Sequence, residues 1–497
     1  MVEVTLEKRA MAAEVVEKAE AAKTKANQAF KDKHYQQAAD LYSAAIELYP
    51  ENAVYWSNRA FAHIRMENFG SALADASRAL ECDGSYAKAY YRRAEASFAL
   101  SRFKDAVRDL KSGCRLEPKD AALRRKLAEA EKELMRERFE AALACPENDA
   151  WVSDTVDLDG MPVEEDYAGP RMVRDAEGAF ACTLPFVEAM VEAFKAGRGV
   201  HRRFAYELVL AAQRQLKALP SLVDVSVPEG EELTVCGDVH GQLFDLLRIF
   251  ELNGRPSTAQ KRRYLFNGDF VDRGSWSYEV IMTLMGYAVA DPGSVLLTRG
   301  NHEAKSMNTI YGFTGEVKAK VNARLVDVFR ETFCCLPLAY VLNSQVLVLH
   351  GGLFSRDDVT LDDLRAIDRF REPPEEGLMC EALWSDPQPE PGRAPNKRGV
   401  GVAFGPDVTK AFLERNGLKL LVRSHEVKDE GYEVAHDGYC VTIFSAPNYC
   451  DQMGNKGAFI RFGADMVPKF TQFAAAPHPD VRPMKYAAGV MNGMFGM

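Results

Sequence analysis

Residues 232–241 read ELTVCGDVHG: an apolar run, Leu233–Cys236, ends on glycine and delivers Asp238 and His240 immediately afterwards. The arrangement recurs twice. Tyr264–Phe266 leads into GDFVDRG at 268–274, and Val295–Thr298 leads into GNHE at 300–303. Short apolar runs bounded by glycine predict buried strands, and each of these carries Asp, Asn or His to just past its end. In an α/β fold the crevice outside the strand ends is where ligands bind. The flanking glycines permit tight turns and close backbone approach. Two later histidines obey the same rule, His350 in LHGGL after Gln345–Leu349 and His425 in RSHE after Lys419–Val422. A further candidate strand, Tyr439–Phe444, precedes SAPNYC at 445–450.

Asp238 and His240 stand two apart, so both can point to one side of an extended segment. Carboxylate and amide oxygens mixed with imidazole nitrogens suit Mn, Fe or Zn, with no need of thiolate. A pair of such cations is the equipment of phosphate-ester chemistry. A lone D-x-H or GNHE carries little weight. The chain has nine histidines, however, and four of them fall inside these motifs, each after a predicted strand.

A chain of 497 residues, 47% hydrophobic and 27% charged, predicts globular structure in two or more domains. The net charge of −10 disfavours nonspecific binding of nucleic acid or anionic membrane by the whole molecule. The start, MVEVTLEKRA, lacks a secretory apolar region, and no stretch is long and apolar enough to span a bilayer. An intracellular protein is expected, cytoplasmic and also nuclear. The ten cysteines form no C-x-x-C pattern and are expected to be reduced, mostly buried thiols. Lys261–Arg263 is expected to be a solvated loop. His201, His436 and His478 have no partner pattern and no assigned role.

The first third repeats every 34 residues. The small series Ala26/Ala60/Ala94, Ala38/Ala72/Ala106 and Ala45/Ala79/Gly113 recur with the aromatic series Tyr35/Phe69/Phe103. Small residues let paired helices approach closely, and the aromatic fills the turn between them. This is the tetratricopeptide (TPR) pattern of helix–turn–helix units. The expected organisation is three TPR repeats over 19–120, a capping helix over 121–144 and an acidic linker rich in Pro, Gly and Asp over 145–182. A catalytic domain over 183–480, opening on helical patterns at Leu184–Lys195 and Arg202–Leu219, and a Met- and Gly-rich tail over 481–497 complete it.

GDVHG, GDFVDRG, GNHE, HGGL, RSHE and SAPNYC together resemble the phosphoprotein phosphatase family of metal-dependent serine/threonine phosphatases, over roughly 183–480. With the repeats in front, the whole chain resembles a TPR-bearing member of that family. The implied fold is an N-terminal all-α TPR solenoid followed by an α/β metallophosphoesterase domain, a central β-sandwich flanked by helices. The resemblance implies that Asp238, His240 and Asp269 hold one divalent metal ion, and that Asp269 bridges to a second held by Asn301, His350 and His425. His302 is the implied general acid for the leaving seryl or threonyl oxygen, oriented by Asp272. Arg273 and Arg398, in NKRGV, are the implied phosphate-binding arginines, and Tyr449 leans over the substrate. The resemblance also implies direct attack of hydroxide on phosphorus, with no covalent enzyme intermediate. Trp384 and Asp386, in LWSDP, fit either the rim of the cleft or a structural turn around a buried Trp. Thr298 departs from the apolar residue relatives carry there, a change in strand packing and not in chemistry.

Lys23 and Asn27 lie four apart on one helical face, as do Lys88 and Arg92, with Asn58 between them in the second repeat. Three cations and two amides facing one groove suit a terminal carboxylate. The set resembles the carboxylate clamp of TPR domains that bind the acidic C-terminal tail of heat-shock protein 90. The family resemblance further implies autoinhibition by the TPR unit, relieved by a partner or a fatty-acid or lipid activator. Met484, Met491, Met494 and Met497 offer adaptable apolar surface for the closed form. A monomer is expected. Two other functions compete with this one. A TPR adaptor or co-chaperone scaffold with minor catalytic activity is disfavoured by the complete ligand set and His302. A nucleotidase or nuclease is disfavoured by SAPNYC, KRGV and the repeats.

Overall fold

The computed structural model describes residues 2–143 and 151–487, in two compact units, one N-terminal and helical and one larger and mixed. Met491, Met494 and Met497 lie outside the described residues. No helix among those described is long and apolar enough to cross a membrane.

The helical unit runs α1 (Val2–Lys31), α2 (Tyr35–Leu48), α3 (Ala53–Arg65), α4 (Phe69–Cys82), α5 (Ala87–Ala99), α6 (Phe103–Leu116) and α7 (Ala121–Leu143). Its small residues are where the helices meet: Ala26, Ala60, Ala94, Ala38, Ala72 and Ala106 are all fully buried. The third member of the last small series is glycine for a reason. A Cβ on Gly113 would stand 2.9 Å from a methyl of Leu123 on α7. Tyr35, Phe69 and Phe103 open the second helix of each repeat. Tyr35 and Phe103 meet Phe30 and Phe98 edge-on at 5.2 and 5.1 Å. Each hairpin closes through a left-handed residue, Lys33, Glu67 or Ser101 (φ 64°, 62° and 58°), again 34 apart.

A periodic polar lock recurs within the helical unit. Arg59 Nε and Nη2 donate to both oxygens of Asp75 (2.8 and 2.7 Å), and its Nη1 donates to Ser43 (2.8 Å). Arg93 repeats this with Asp109 (2.7 and 2.8 Å) and Ser77 (3.3 Å). Each fork ties the two helices of its own hairpin, and the bond to serine reaches back to the hairpin before it. Asp75→Ala leaves the Arg59 guanidinium largely buried without its carboxylate, a change expected to cost the helical unit about 3 kcal/mol. The check is the midpoint of its urea transition followed by circular dichroism, and an unchanged midpoint would show the lock to be idle.

The larger unit is a sandwich. Its strands are β1 (Leu222–Val225), β2 (Glu232–Cys236), β3 (Arg262–Phe266), β4 (Val295–Leu297), β5 (Ala339–Leu342), β6 (Val346–Leu349), β7 (Leu420–Arg423), β8 (Tyr432–Ala435), β9 (Cys440–Ile443), β10 (Gly457–Phe462) and β11 (Lys469–Phe473). One sheet has the order β11-β10-β2-β3-β4 and the other β8-β9-β7-β6-β5-β1. Strands β2, β3 and β4 are mutually parallel, as are β6, β7 and β9. Alternation sorts the side chains. Val346 and Val348 face inward with Leu233, Val235, Leu265 and Ile460. Leu347 and Leu349 face outward, beneath the helix Pro406–Arg415. The outer face of the other sheet is covered by the helices Leu184–Lys195, Arg202–Lys217, Leu243–Asn253, Ser277–Ala290 and Ala323–Cys334.

Two local expectations are corrected. Arg262 and Arg263, read as solvated loop, open strand β3 and are half-buried, because pairing with β2 extends the ladder beyond the apolar run. Within 145–182, residues 151–181 are not a free tether. A short 3₁₀ turn at Val152–Thr155 and a hairpin of Val173–Arg174 with Phe180–Ala181 pack on the sandwich helices, with Trp151, Val152, Met161 and Tyr167 set against the core. Glu331 accepts the backbone N–H groups of Val152 (2.5 Å) and Ser153 (2.8 Å). Isolated aromatic anchors have no periodicity, so no pattern in the sequence announces them.

Candidate metal centre

The three adjacent strands β2, β3 and β4 end in Asp238 and His240, in Asp269, and in Asn301. The adjacent strands β6 and β7 of the opposing sheet end in His350 and His425. The ends meet at one rim. A bridge between Asp238 and Phe444, and the His425 N–H donated to Asp238 Oδ1 (3.1 Å), tie the two sheets there. Asp269 Oδ2 lies 3.4 Å from His240 Nε2 and 3.3 Å from His350 Nε2. His240 Nε2 is 3.7 Å from Asp238 Oδ2. His350 Nε2 is 2.9 Å from Asn301 Oδ1 and 3.2 Å from His425 Nδ1. None of the six exceeds 6% exposure.

These side chains ride on strained turns. His240, Asp269 and His425 have φ of 44°, 50° and 70°, and Asp272 and Arg273 have 70° and 69°. Non-glycine residues visit that region rarely, and they concentrate at functional sites where the surroundings enforce them. The enforcing contacts are visible. Val239 and His240 donate their N–H groups to Asp269 O (3.1 and 2.9 Å). A Cβ on Gly268 would approach Gly300 to 2.6 Å, and one on Gly300 would meet Asp269 Oδ1 at 2.2 Å, so the GD and GN turns pack back to back only as glycine.

A supporting layer aims these donors. His240 Nδ1 is held by Val271 O (3.0 Å) and His350 Nδ1 by Asn267 O (2.8 Å), which turns each Nε2 into the cluster. Glu303, last of GNHE, accepts the N–H groups of Asp269 (2.8 Å), Phe270 (2.9 Å) and Gly300 (2.9 Å) and so clamps the Asp269 and Asn301 turns together. Asn267 donates to Leu349 O and Ser424 Oγ and accepts from Thr298 Oγ1 (3.0 Å), so Thr298 joins this network. Arg423, fully buried, donates to Gly351 O (2.6 Å), Ser385 O (3.1 Å), Asp386 (2.8 Å) and Glu426 (3.1 Å). Sequence reasoning assigned no role to Glu303, Asn267 or Arg423. The available signal was position: each adjoins a ligand motif at the end of an apolar strand.

Burial, reinforced by Asp269 nearby, pushes the Asp238 carboxyl up to about 7. Burial and Asp269 likewise push Glu303 up to about 8. Burial, His302 and Arg273 hold His240 well below its usual value, and burial lowers His350. Neutral imidazoles offer lone pairs, and crowded buried carboxylates are stabilised by positive charge, so the donor set fits divalent cations. Its donor atoms form two groups, His240/Asp269/His302 and Asp269/His350/His425, each within 4.8 Å, with Asp269 common to both.

His302, Asp272, Tyr449 and Trp384 adjoin this cluster. His302 Nδ1 meets Asp272 Oδ2 at 2.9 Å, and its ring stands edge-on to His240 at 4.7 Å. Asp272 is fixed by Asn308 Nδ2 (3.1 Å) and the Phe313 N–H (2.9 Å), and burial pushes its carboxyl up to about 7. Tyr449 lies 5.1 Å from the His240 ring. Trp384 stands edge-on to His425 at 5.5 Å and Asp386 pairs with Arg423, so LWSDP backs the His425 turn. Arg273 is buried with its Cζ 3.7 Å from the Tyr311 ring. Arg398 lies on the loop between the strands Arg393–Pro395 and Val402–Phe404, its N–H donated to Asn396 Oδ1 (2.8 Å). Met484, expected as adaptable surface, is instead 2% exposed inside the larger unit.

A two-sheet sandwich with aspartate, histidine and asparagine gathered at its parallel strand ends defines a metallophosphoesterase, and residues 232–429 match the calcineurin-like phosphoesterase family. Residues 127–224 match the PPP5 TPR repeat region. The chain is 51% identical to serine/threonine-protein phosphatase 5 of Homo sapiens over 95% of its own length and 93% of that protein's. It is 53% identical to the Arabidopsis thaliana protein of the same name over 95% and 97%. A solved Saccharomyces cerevisiae protein serine/threonine phosphatase, described as similar to human phosphatase PP5, superposes with a TM-score of 0.59 at 40% identity, covering 61% of this chain and all of that one. The chain belongs to the serine/threonine-protein phosphatase 5 family: it is a protein serine/threonine phosphatase with a TPR module.

Proposed function

We propose that Asp238, His240, Asp269, Asn301, His350 and His425 hold two divalent cations, drawn from Mn, Fe and Zn, with Asp269 shared between them. The observation that carries this is the single carboxylate common to two buried donor groups. When bound, such a pair neutralises phosphoryl oxygens and activates a water molecule as the nucleophile. The chain's own residues do the rest. Arg273, with Arg398 supplied by the family resemblance, binds the phosphate oxygens as a planar fork. His302 gives a proton to the departing serine or threonine oxygen while Asp272 holds the opposite ring nitrogen. Tyr449 closes the side beside His240. Elemental analysis of active protein is the test: two transition-metal ions per chain are expected, and full activity with one or none would overturn the proposal.

For the TPR module we propose capture of an acidic C-terminal peptide, that of heat-shock protein 90. Lys23 and Asn27 on α1, Asn58 on α3 and Lys88 and Arg92 on α5 all belong to the first helices of their repeats. Asn58 Nδ2 lies 3.5 Å from Asn27 Oδ1, which also accepts from Tyr42 (2.6 Å). Arg92 is poised over the Phe61 ring, 3.4 Å from its centroid. Lys88 is exposed, and Lys23 pairs with Glu20. A peptide ending in a free carboxylate is expected to bind at least tenfold more tightly than its amide, the effect of one charge-assisted contact of about 1.5 kcal/mol. Lys88→Ala is expected to erase that difference, and equal affinity of acid and amide in calorimetry would remove the clamp. The family resemblance also supports autoinhibition relieved by a partner or lipid, a monomeric state, and action in cytoplasm and nucleus.

A further inference from the structure

Residues Arg482–Ala487 form a strap against the GDFVDRG turn, and its Met484 is joined twice to one arginine. The Met484 N–H donates to Arg273 O (2.7 Å), and Arg273 Nη1 lies 4.0 Å from Met484 Sδ. One residue pair is thus joined through both main chain and side chain. Ser275 Oγ donates to Arg482 O (2.8 Å), and the Ala487 N–H closes a turn on Met484 O (3.0 Å). The strap is seated closely: a Cβ on Gly315 would meet Tyr486 O at 2.4 Å. From the other side, the Arg273 N–H donates to Tyr311 O (3.2 Å) and the guanidinium carbon stands 3.7 Å from the Tyr311 ring. Arg273 therefore holds a left-handed backbone, φ 69°, between a fixed donor and a fixed acceptor.

We propose that Met484 is a positioning residue for Arg273, so that the strap is part of the phosphate-binding apparatus. The inference rests on the reading of Arg273 as a phosphate ligand. Its physical basis is the kind of contact made. An arginine side chain loses much rotamer freedom when it binds an oxyanion, and a side chain held beforehand loses less. An aromatic face and a thioether can hold a guanidinium by dispersion and weak polarity. Neither is a carboxylate, so neither competes strongly with phosphate for the N–H donors.

The test is a double-mutant cycle in the full-length protein with manganese, read as KM for an aryl phosphate and inhibition by inorganic phosphate. Met484→Ala is expected to weaken both together by about tenfold, within the roughly 100-fold that a displaced positioning contact commands. Met484→Leu, which keeps the volume, is expected to recover most of the loss. In an Arg273→Ala background, Met484→Ala is expected to change neither quantity further. Unchanged phosphate inhibition in Met484→Ala, or an equal loss in both backgrounds, overturns the strap's role. Unchanged phosphate inhibition in Arg273→Ala alone overturns the arginine's role instead. If Met484→Ala does not fold, as judged by its melting curve, Ser275→Ala loosens the strap at Arg482. It is expected to weaken phosphate inhibition about threefold with Arg273 present and not at all without it, and an equal effect in both overturns the proposal.

Discussion

Asp269→Asn is expected to lower kcat/KM toward a phosphoserine peptide by at least about 10³-fold, with the bound metal falling from two ions per chain to one or fewer. Asp269 is the only residue in both donor groups found among the described residues, with Oδ2 3.4 Å from His240 and 3.3 Å from His350. Its backbone is committed to that position by Glu303, which accepts its N–H, and by the Val239 and His240 N–H groups on its carbonyl. Asparagine keeps the shape and removes the charge. An amide oxygen bridges two cations poorly, and cation stabilisation of phosphoryl charge amounts to several kcal/mol, about 10³-fold at 1.36 kcal/mol per decade. The checks are elemental analysis and turnover of the same preparation. A variant that retains two ions and near-native turnover would show that the bridge lies elsewhere.

His302→Ala has the second large expected effect, and its substrate dependence is the informative part. A serine alkoxide is a poor leaving group and needs a proton as the P–O bond breaks, whereas a nitrophenolate leaves without one. Loss of a general acid is therefore expected to reduce turnover of a phosphoserine peptide by about 10²- to 10⁴-fold, and that of nitrophenyl phosphate far less. His302 is oriented for this by the 2.9 Å contact of its Nδ1 with Asp272, itself immobilised by Asn308 and Phe313. The competing possibility is specific, since His302 also groups with His240 and Asp269 as a metal donor. An equal fall for both substrates, accompanied by loss of an ion, would make it a ligand and not an acid.

Much of this was legible in the chain. The 34-residue spacing of small residues fixes where helices touch, because only alanine or glycine permits that approach, and Gly113 against Leu123 shows the limit. The Arg59–Asp75 and Arg93–Asp109 forks share the same spacing but went unread: each joins residues 16 apart, on different helices, and no local pattern links them. The ligand motifs were legible because each is a short string of glycine and donor residues after an apolar run. Glu303, Asn267 and Arg423 lie inside or beside those strings, yet their roles depend on which turn faces which. The packing of 151–181 and the burial of Met484 were illegible for the same reason: single anchors against a distant surface have no period.

The sequence alone settled the periodic and the local: three helical hairpins, strands that end in aspartate, asparagine and histidine, and the family those strings resemble. Those properties are written over a few adjacent residues, where backbone geometry and side-chain alternation act directly. Only the tertiary structure decided that two sheets bring Asp238, Asp269 and Asn301 within reach of His350 and His425, and that a strap from the end of the chain lies behind Arg273. Those facts depend on how sheets and loops far apart in the chain stack, and the burial that drives stacking is a property of area and not of order along the chain.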